Sequence, residues 1–488
     1  MHWSISKTEG CFFKAMRSLL RKGWALIALI AISGCATYRP MSITPKTVRA
    51  GLRSPDMNEV RLRAGSFKHP LLRPVSFDDR DGLSPEEAAI LAIIVNPTLR
   101  AVRDSRGIAS AQLLQAGILP NPRLSYELGI PTGGNTQGRV NSFGLGVGWD
   151  ITSLISRGAR LDAAKAHASS VDLDIAWQEW QVAEAARLHA YRLVIAKKRL
   201  VAAEQAEAFF QRLRKDVKQG VALGVKTRLD LSAAESKFQE ASSKVLNAQS
   251  TMEQERLAFN RALGLPSQRV IPLEKDIVWQ LEQCLSAKVL FEDAEANRLD
   301  LLALKRGYES QEARVRAAVR SQFPKINLGL TGGRDTDGIQ TVGMGLSIAL
   351  PFFDRNQGRI AKERSSRQQL FDEYTARLFE TRADIDRLVA AIVATRRRLT
   401  AIDESLSTQK ALAENLSRAA ETGQADVFSY FKAMSAFYDK QIQKIELEQR
   451  MIDLGIALEI TSGRYGLVGK AGHATRKLGH TTGMEKPK

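Results

Sequence analysis

Phe143-Gly-Leu-Gly-Val-Gly-Trp149-Asp-Ile151 alternates a large apolar residue with glycine or aspartate, and Val342-Gly-Met-Gly-Leu-Ser-Ile-Ala-Leu350 does the same about 200 residues later. Successive side chains of a strand point to opposite faces. Phe143, Leu145, Val147, Trp149 and Ile151 therefore share one face, and Gly144, Gly146, Gly148 and Asp150 share the other. A shorter alternating run precedes each stretch, Arg123 to Ile130 and Lys325 to Leu330, separated from it by the polar turns Thr132 to Arg139 and Gly332 to Gln340. Each pair is predicted to be a β-hairpin. A half-buried sheet in a soluble domain would alternate in this way, and so would a strand with lipid outside and a small or polar lumen inside.

Outward from the hairpins the whole chain repeats. Leu99 answers to Leu301, Pro122 to Pro324, Gly158 to Gly358, Gly224 to Gly423, Phe238 to Phe437 and Gly264 to Gly463. Each half reads as helix, β-hairpin, very long helix, glycine break and second long helix. The opening helix starts at Ser84-Pro85-Glu86-Glu87, with Ser as N-cap, Pro at the first position and Glu at the third, a capping box. From Gly158 to Gly220 and Gly224 the chain has almost no Gly or Pro, so roughly sixty residues are predicted to form a helix of roughly 90 Å. Its partner runs from Thr227 to about Leu263, and the second half repeats this from Arg359 to about Glu421 and from Asp426 to about Ile460. Ala185, Leu188, Leu193, Leu200 and Phe209 recur at three- and four-residue steps, which fits coiled-coil packing. An ordinary soluble bundle shares that pattern but leaves the hairpins unexplained.

The start of the chain carries an export pattern. Basic residues follow Met16, then the apolar run Gly23 to Ile32, then Ser33-Gly34-Cys35. The run is about ten residues, too short for a permanent span. Ile32-Ser33-Gly34-Cys35 resembles a bacterial lipobox, in which cleavage leaves an acylated Cys35 at the N-terminus, and Ala36 after it implies sorting to the outer membrane. Met16 is the expected start, which removes Cys11 and leaves Cys284 as the one thiol besides Cys35. No intramolecular disulfide is then expected. No other segment is apolar for long enough to cross as a helix, so a membrane crossing would need a closed β-barrel.

The 488 residues are 44% hydrophobic and 25% charged, with 71 Lys and Arg against 53 Asp and Glu, a formal charge of +18. The basic residues alternate with acidic ones along helices, as in Arg212, Arg214, Lys215, Asp216 and Lys218, so they read as solvated faces and no nucleic-acid partner is expected. No His-Glu-x-x-His, phosphate loop or Gly-x-Ser-x-Gly occurs, and no enzyme activity, metal site or cofactor beyond the lipid on Cys35 is expected. His189, Trp177 and Trp180 read as helix packing, and His473 and His480 as idle residues of a basic tail.

From about residue 83 to 466 the chain, in architecture and in short motifs, resembles the TolC family of outer-membrane efflux proteins. The resemblance implies a mainly α fold with a β-barrel part. Three protomers would give four strands each to one twelve-stranded barrel and their long helices to one periplasmic tunnel. The glycine breaks, Leu223-Gly-Val-Lys-Thr-Arg-Leu-Asp-Leu231 and Thr422-Gly-Gln-Ala-Asp-Val-Phe-Ser-Tyr430, would be the tips of that tunnel. There Gly224, Val225, Thr227, Gly423 and Asp426 would meet a periplasmic adaptor, with Thr227 and Asp426 placed to N-cap the returning helices. Asp230 falls where the family commonly has an aspartate at the pore mouth, so three copies would form a cation-attracting ring; a solvated first-turn aspartate is the plain alternative. Ala425 and Ser429 stand where a well-known member has Arg and Asp, so its closing salt bridges are not carried over.

Leu350-Pro-Phe-Phe-Asp-Arg-Asn-Gln-Gly358 resembles the stretch after the fourth strand in the heavy-metal branch, hinting at cations. Its simpler role is the strand-to-helix connection, with Asp354 or Asn356 starting the helix.

The resulting layout is a signal peptide at 1–34, a lipidated segment at 35–82, repeats at 83–275 and 276–466, and a basic tail at 467–488. The expected protein is a homotrimeric, lipid-anchored exit duct in the outer membrane of a Gram-negative bacterium, extending into the periplasm. It would carry metal cations or small toxic compounds, joined through the adaptor to an inner-membrane transporter of the RND type. The competing reading is an elongated periplasmic lipoprotein scaffold without a pore.

Overall fold

The structure is a computed structural model and describes residues 37–53, 56–66, 69–72, 77, 81–274, 277, 279–281, 286–422 and 424–469. The chain divides after Arg53 into two units. The first contains α1 (Pro45–Gly51), capped by Thr44. All other elements belong to the second unit: α2 (Met57–Gly65), then two matching series. The first series is α3 (Pro85–Val95), α4 (Pro97–Gly117), β1 (Arg123–Gly129), β2 (Ser142–Asp150), α5 (Thr152–Ala222) and α6 (Arg228–Leu263). The second is β3 (Gln280–Leu281), α7 (Ala287–Asn297), α8 (Leu299–Arg320), β4 (Lys325–Arg334), β5 (Gln340–Ala349), α9 (Gln357–Glu421) and α10 (Val427–Ser462), closed by β6 (Val468–Gly469), which pairs with β3.

The expected capping box is in place: Ser84 Oγ accepts from Glu87 N at 3.2 Å and Glu87 Oε2 accepts from Ser84 N at 2.9 Å. α3 is apolar nearly all round and correspondingly buried. The expectation of one opening helix per repeat is corrected, because each is broken in two. Asn96 stops α3 and caps α4, its Oδ1 accepting from Thr98 N at 3.0 Å, with Pro97 at the first helical position. In the second repeat Arg298 stands at the break, where Asp300 grips its guanidinium at 2.8 and 3.0 Å.

Both breaks are covered by the glycine that ends the last helix of the repeat. Gly264 and Gly463 have φ of 74° and 67°, and a Cβ on them would stand 2.7 Å from Asn96 Cα and 3.0 Å from Arg298 Cα. The same tie crosses each contact, Asn96 Nδ2 to Ala262 O at 3.1 Å and Arg298 Nη1 to Thr461 O at 3.2 Å. These matched contacts are the structural basis of the sequence repeat.

The long helices exceed expectation. α5 has 71 residues, about 107 Å, and α9 has 65. They begin at Thr152 and Gln357 and run through Gly158 and Gly358, and Asp150 Oδ1 accepts from Thr152 N at 2.9 Å at the entry to the first. One apolar cluster gathers α2, α3, α5 and α6; a second gathers α5, α7, α9 and α10. α5 is thus common to both repeats. Trp180 is fully buried against α3 and Trp177 lies under Arg298, in keeping with the packing role expected of both. Among the described residues no helix is long and apolar enough to cross a membrane.

Candidate pore and docking elements

The two predicted hairpins form and join edge to edge in one antiparallel sheet of order β1-β2-β4-β5. β4 corrects the sequence reading by running to Arg334, so the turn is Asp335 to Ile339 rather than Gly332 to Gln340. Gly332 and Gly333 are strand residues: a Cβ on Gly333 would stand 2.5 Å from Phe143 O, so the glycine permits the approach of β2.

Register sorts the side chains along the middle of the sheet, while Arg334 and Gln340 share the outermost apolar row with Leu128 and Phe143. Leu124, Val147, Leu330 and Met344 stand side by side on one face, with Tyr126, Leu145 and Val342 one row away and Trp149, Leu328 and Leu346 in the row on the other side. The opposite face has the rows Arg123, Gly148, Gly329, Gly345, then Ser125, Gly146, Thr331, Gly343, then Glu127, Gly144, Gly333, Thr341. The large apolar face is exposed along all four strands. Among the described residues nothing pairs with the outer edge of β1 or of β5.

At the far end of the sheet the hairpin loops are tied together by the Arg139–Asp337 ion pair, by Val140 N to Thr336 O at 2.9 Å and by Arg334 Nη2 to Asn141 O at 3.1 Å. The sequence reading missed this tie, since Arg139 and Asp337 each look like ordinary turn residues.

At the other end of the long helices, α5 stops in a Schellman turn. Gly224 takes φ 75°, Val225 N donates to Gly220 O at 2.9 Å and Gly224 N to Val221 O at 3.1 Å. The second break makes the same long bond, Gln424 N to Ala419 O at 2.8 Å; Gly423 lies outside the described residues. Thr227 caps α6 in a full capping box, Thr227 N and Oγ1 donating to Asp230 Oδ2 at 2.8 and 2.7 Å while Asp230 N donates back at 3.1 Å. The backbone N–H and hydroxyl of Thr227 hold the Asp230 carboxyl below its ordinary range, with Lys226 adding to the effect. Asp426 caps α10 more simply, Oδ1 accepting from Phe428 N at 3.1 Å. Val225 is exposed, and Phe431 packs with Val217 and Ala234 to hold the two tips together.

Midway, a buried ionic knot joins the repeats. Arg187 on α5, 1% exposed, donates Nη1 to Glu184 at 2.8 Å and to Glu459 of α10 at 2.5 Å, both 0% exposed, and Nη2 to Val468 O at 2.5 Å. Glu459 also accepts from Val468 N at 2.5 Å. Burial is the main cause that pushes the Glu459 carboxyl up to about 8, against the pull of Arg187 and with Glu184 adding to it. The sequence reading missed the knot; its one local signal is the pair Glu184 and Arg187 set among Ala183, Ala186 and Ala190.

The sequence pattern of the outer membrane efflux protein family matches residues 90–265 and again 290–464. The chain belongs to this family. The chain is 23% identical over 295 residues to the cobalt-zinc-cadmium resistance protein CzcC of Cupriavidus metallidurans, covering 60% of this chain and 69% of that one. Its fold is similar to that of the channel protein CusC, with a TM-score of 0.64 at 16% identity over 82% of this chain and 98% of the other. It is also similar to the outer membrane protein VceC of Vibrio cholerae, with a TM-score of 0.65 at 15% identity over 78% and 96%.

In this outer membrane efflux protein the two matched segments coincide with the two structural series, each carrying one hairpin of the sheet and one pair of long helices. Among the described residues no cluster of His, Cys, Asp and Glu could hold a metal ion. His189 pairs with Glu255 at 3.1 Å on the helix flank. Cys35, Cys284, His473 and His480 lie outside the described residues. Asn356 takes the N-cap place of α9 without capping it by side chain; Asp354 Oδ1 accepts from Asn356 N at 2.8 Å, so the pair shapes the connection rather than the helix start.

Proposed function

We propose that this protein is the outer-membrane exit duct of a tripartite efflux pump, formed by three copies around a threefold axis. The observation that carries the reading is the exposed, two-faced sheet with both edges unpaired. An even number of antiparallel strands lets β5 of one copy meet β1 of the next in the same alternation, so three copies close twelve strands without a free edge. Lipid would then cover the face of Leu124, Val147, Leu330 and Met344, and the glycine face would line the lumen. A scaffold without a pore would leave that apolar face in water.

The long helices would continue the bore into the periplasm, with an acylated Cys35 as a second hold on the membrane. The turns at Gly224, Val225 and Thr227 and at Gly423 and Asp426 would receive the periplasmic adaptor, which joins the duct to an inner-membrane transporter of the RND type. Asp230 would ring the mouth: its capping bonds keep the carboxylate charged and fixed, and three such charges favour cations. The likeness to a cobalt, zinc and cadmium resistance protein supports metal cations as cargo, with small toxic compounds the broader class. Reversal potentials under a salt gradient test the ring. Cation preference should weaken in Asp230→Asn, whereas equal selectivity in the two proteins would leave Asp230 as a helix cap only.

A further inference from the structure

The connection after β5 spends its hydrogen bonds on holding two aromatic side chains in water. Phe352 is 69% exposed and Phe353 94%. Beneath them Arg355 N donates to Gln357 Oε1 at 2.7 Å, Gln357 Nε2 to Phe353 O at 3.1 Å and Asn356 Nδ2 to Ala318 O at 2.7 Å, which fastens the loop to α8. Asn356 has φ 60°, the one non-glycine left-handed residue among those described. A loop bonded in this way has a fixed shape, and its exposed rings call for a cover.

We infer that Phe352 and Phe353 are a preset clasp that docks on Ile118 and Leu119 of a second copy of this chain. The inference rests on the trimeric reading above. Position argues for it: β5 is one edge of the sheet and β1 the other, and the loop leaves β5 at the end where α4 delivers the chain to β1. Ala349 closes its strand beside Lys325, and Arg123 opens its own beside Gly148, so clasp and receptor sit at the same end of the sheet on opposite edges. Ile118 and Leu119 are exposed there.

Lipid is the competing cover, and α9 argues against it. Exposed apolar side chains occur again along α9 at Phe379 and Val393, which lie within about 40° of one another around the helix, the first about 33 Å from its start. A bilayer spanned by the sheet cannot reach that far. A second copy, whose helices run the same length, can cover loop and helix together. The motif that resembles the heavy-metal branch thus has a mechanical role here.

The test places the photocrosslinker benzoylphenylalanine at Phe353 of the full chain in membranes, with Leu145 on the middle of the apolar sheet face as control. Irradiation should give a two-chain band on a denaturing gel for position 353 only, with the adduct mapped to residues 108–122. Phe353→Ser should lose the trimer at a lower temperature than the parent, and Phe353→Leu should restore it. A trimer by native mass spectrometry without an interchain adduct, or with a phospholipid adduct at 353, overturns the clasp and leaves the duct standing. A monomer overturns both.

Discussion

Asn260 and Glu459 hold corresponding places, each four residues before the glycine that ends its repeat. Asn260 Nδ2 donates to the carbonyls of Pro266, Ser267 and Arg269 at 3.1, 3.1 and 2.8 Å, so a neutral side chain folds its own loop back on its own helix. Glu459 does the same for Val468 but with a buried ionisable carboxyl, which Arg187 of the other repeat meets. The glycine contacts that position the helices are common to both halves. The polar ties above them have diverged, and in the second half the tie locks one repeat to the other.

The strongest way to break this comparison is Arg187→Met, which leaves the buried carboxyl groups of Glu184 and Glu459 without their cation and should cost about 3 to 5 kcal/mol, read as a shift in the unfolding midpoint in detergent. Asn260→Ala should cost less, about 1 to 3 kcal/mol; equal losses would mean that charge does not distinguish the repeats. Next is Gly264→Ala, expected to lose about 3 kcal/mol from a left-handed backbone and a clash with Asn96, with Gly463→Ala somewhat milder because its nearest backbone atom is 3.0 Å away against 2.7 Å. A reversed order would contradict the matched glycine contacts.

The pH dependence sharpens the same contrast. The ordinary Glu value of 4.5 is raised to about 8 for Glu459 in the fold, so the folded state keeps a proton that the unfolded chain releases. The stability this contributes is full below about pH 4.5 and is lost as pH rises through about 8. Glu459→Gln should flatten that slope in unfolding curves between those limits, and an unchanged slope would place the titration elsewhere. The smallest effect belongs to the tips: Thr227→Ala removes a reciprocal cap and should cost about 1 kcal/mol, more than Asp426→Ala, whose cap accepts a single bond.

What the sequence revealed was local. The period-two runs marked the four strands of the larger sheet, and not the short pair β3 and β6, because a strand side chain's face follows from its position alone. Ser84 with Glu87, Thr227 and Asp426 announced helix starts through bonds that span two or three residues. The breaks divided by the same rule. Pro97 carried a signal that the single-helix reading passed over, whereas Arg298 has one local partner, Asp300, and its ties to Thr381 and Thr461 reach far along the chain. The strand continuing through Gly332 and Gly333 was hidden because a glycine needed for close approach looks like a glycine needed for a turn. The ionic knot spans 272 residues between Arg187 and Glu459, beyond any spacing rule. The candidate pore residue Asp230 was legible as a first-turn aspartate, and its reciprocal bonds to Thr227 became visible only in the fold.

The central claim is that copies of this sheet close into a pore. The most direct measurement is single-channel conductance of the Cys35→Ala protein, purified in detergent from the membrane fraction and added to planar bilayers. Discrete, long-lived steps from a heat-labile trimer are the predicted result. A protein that stays monomeric and soluble without detergent, and gives no steps, would contradict it and return the chain to the scaffold reading.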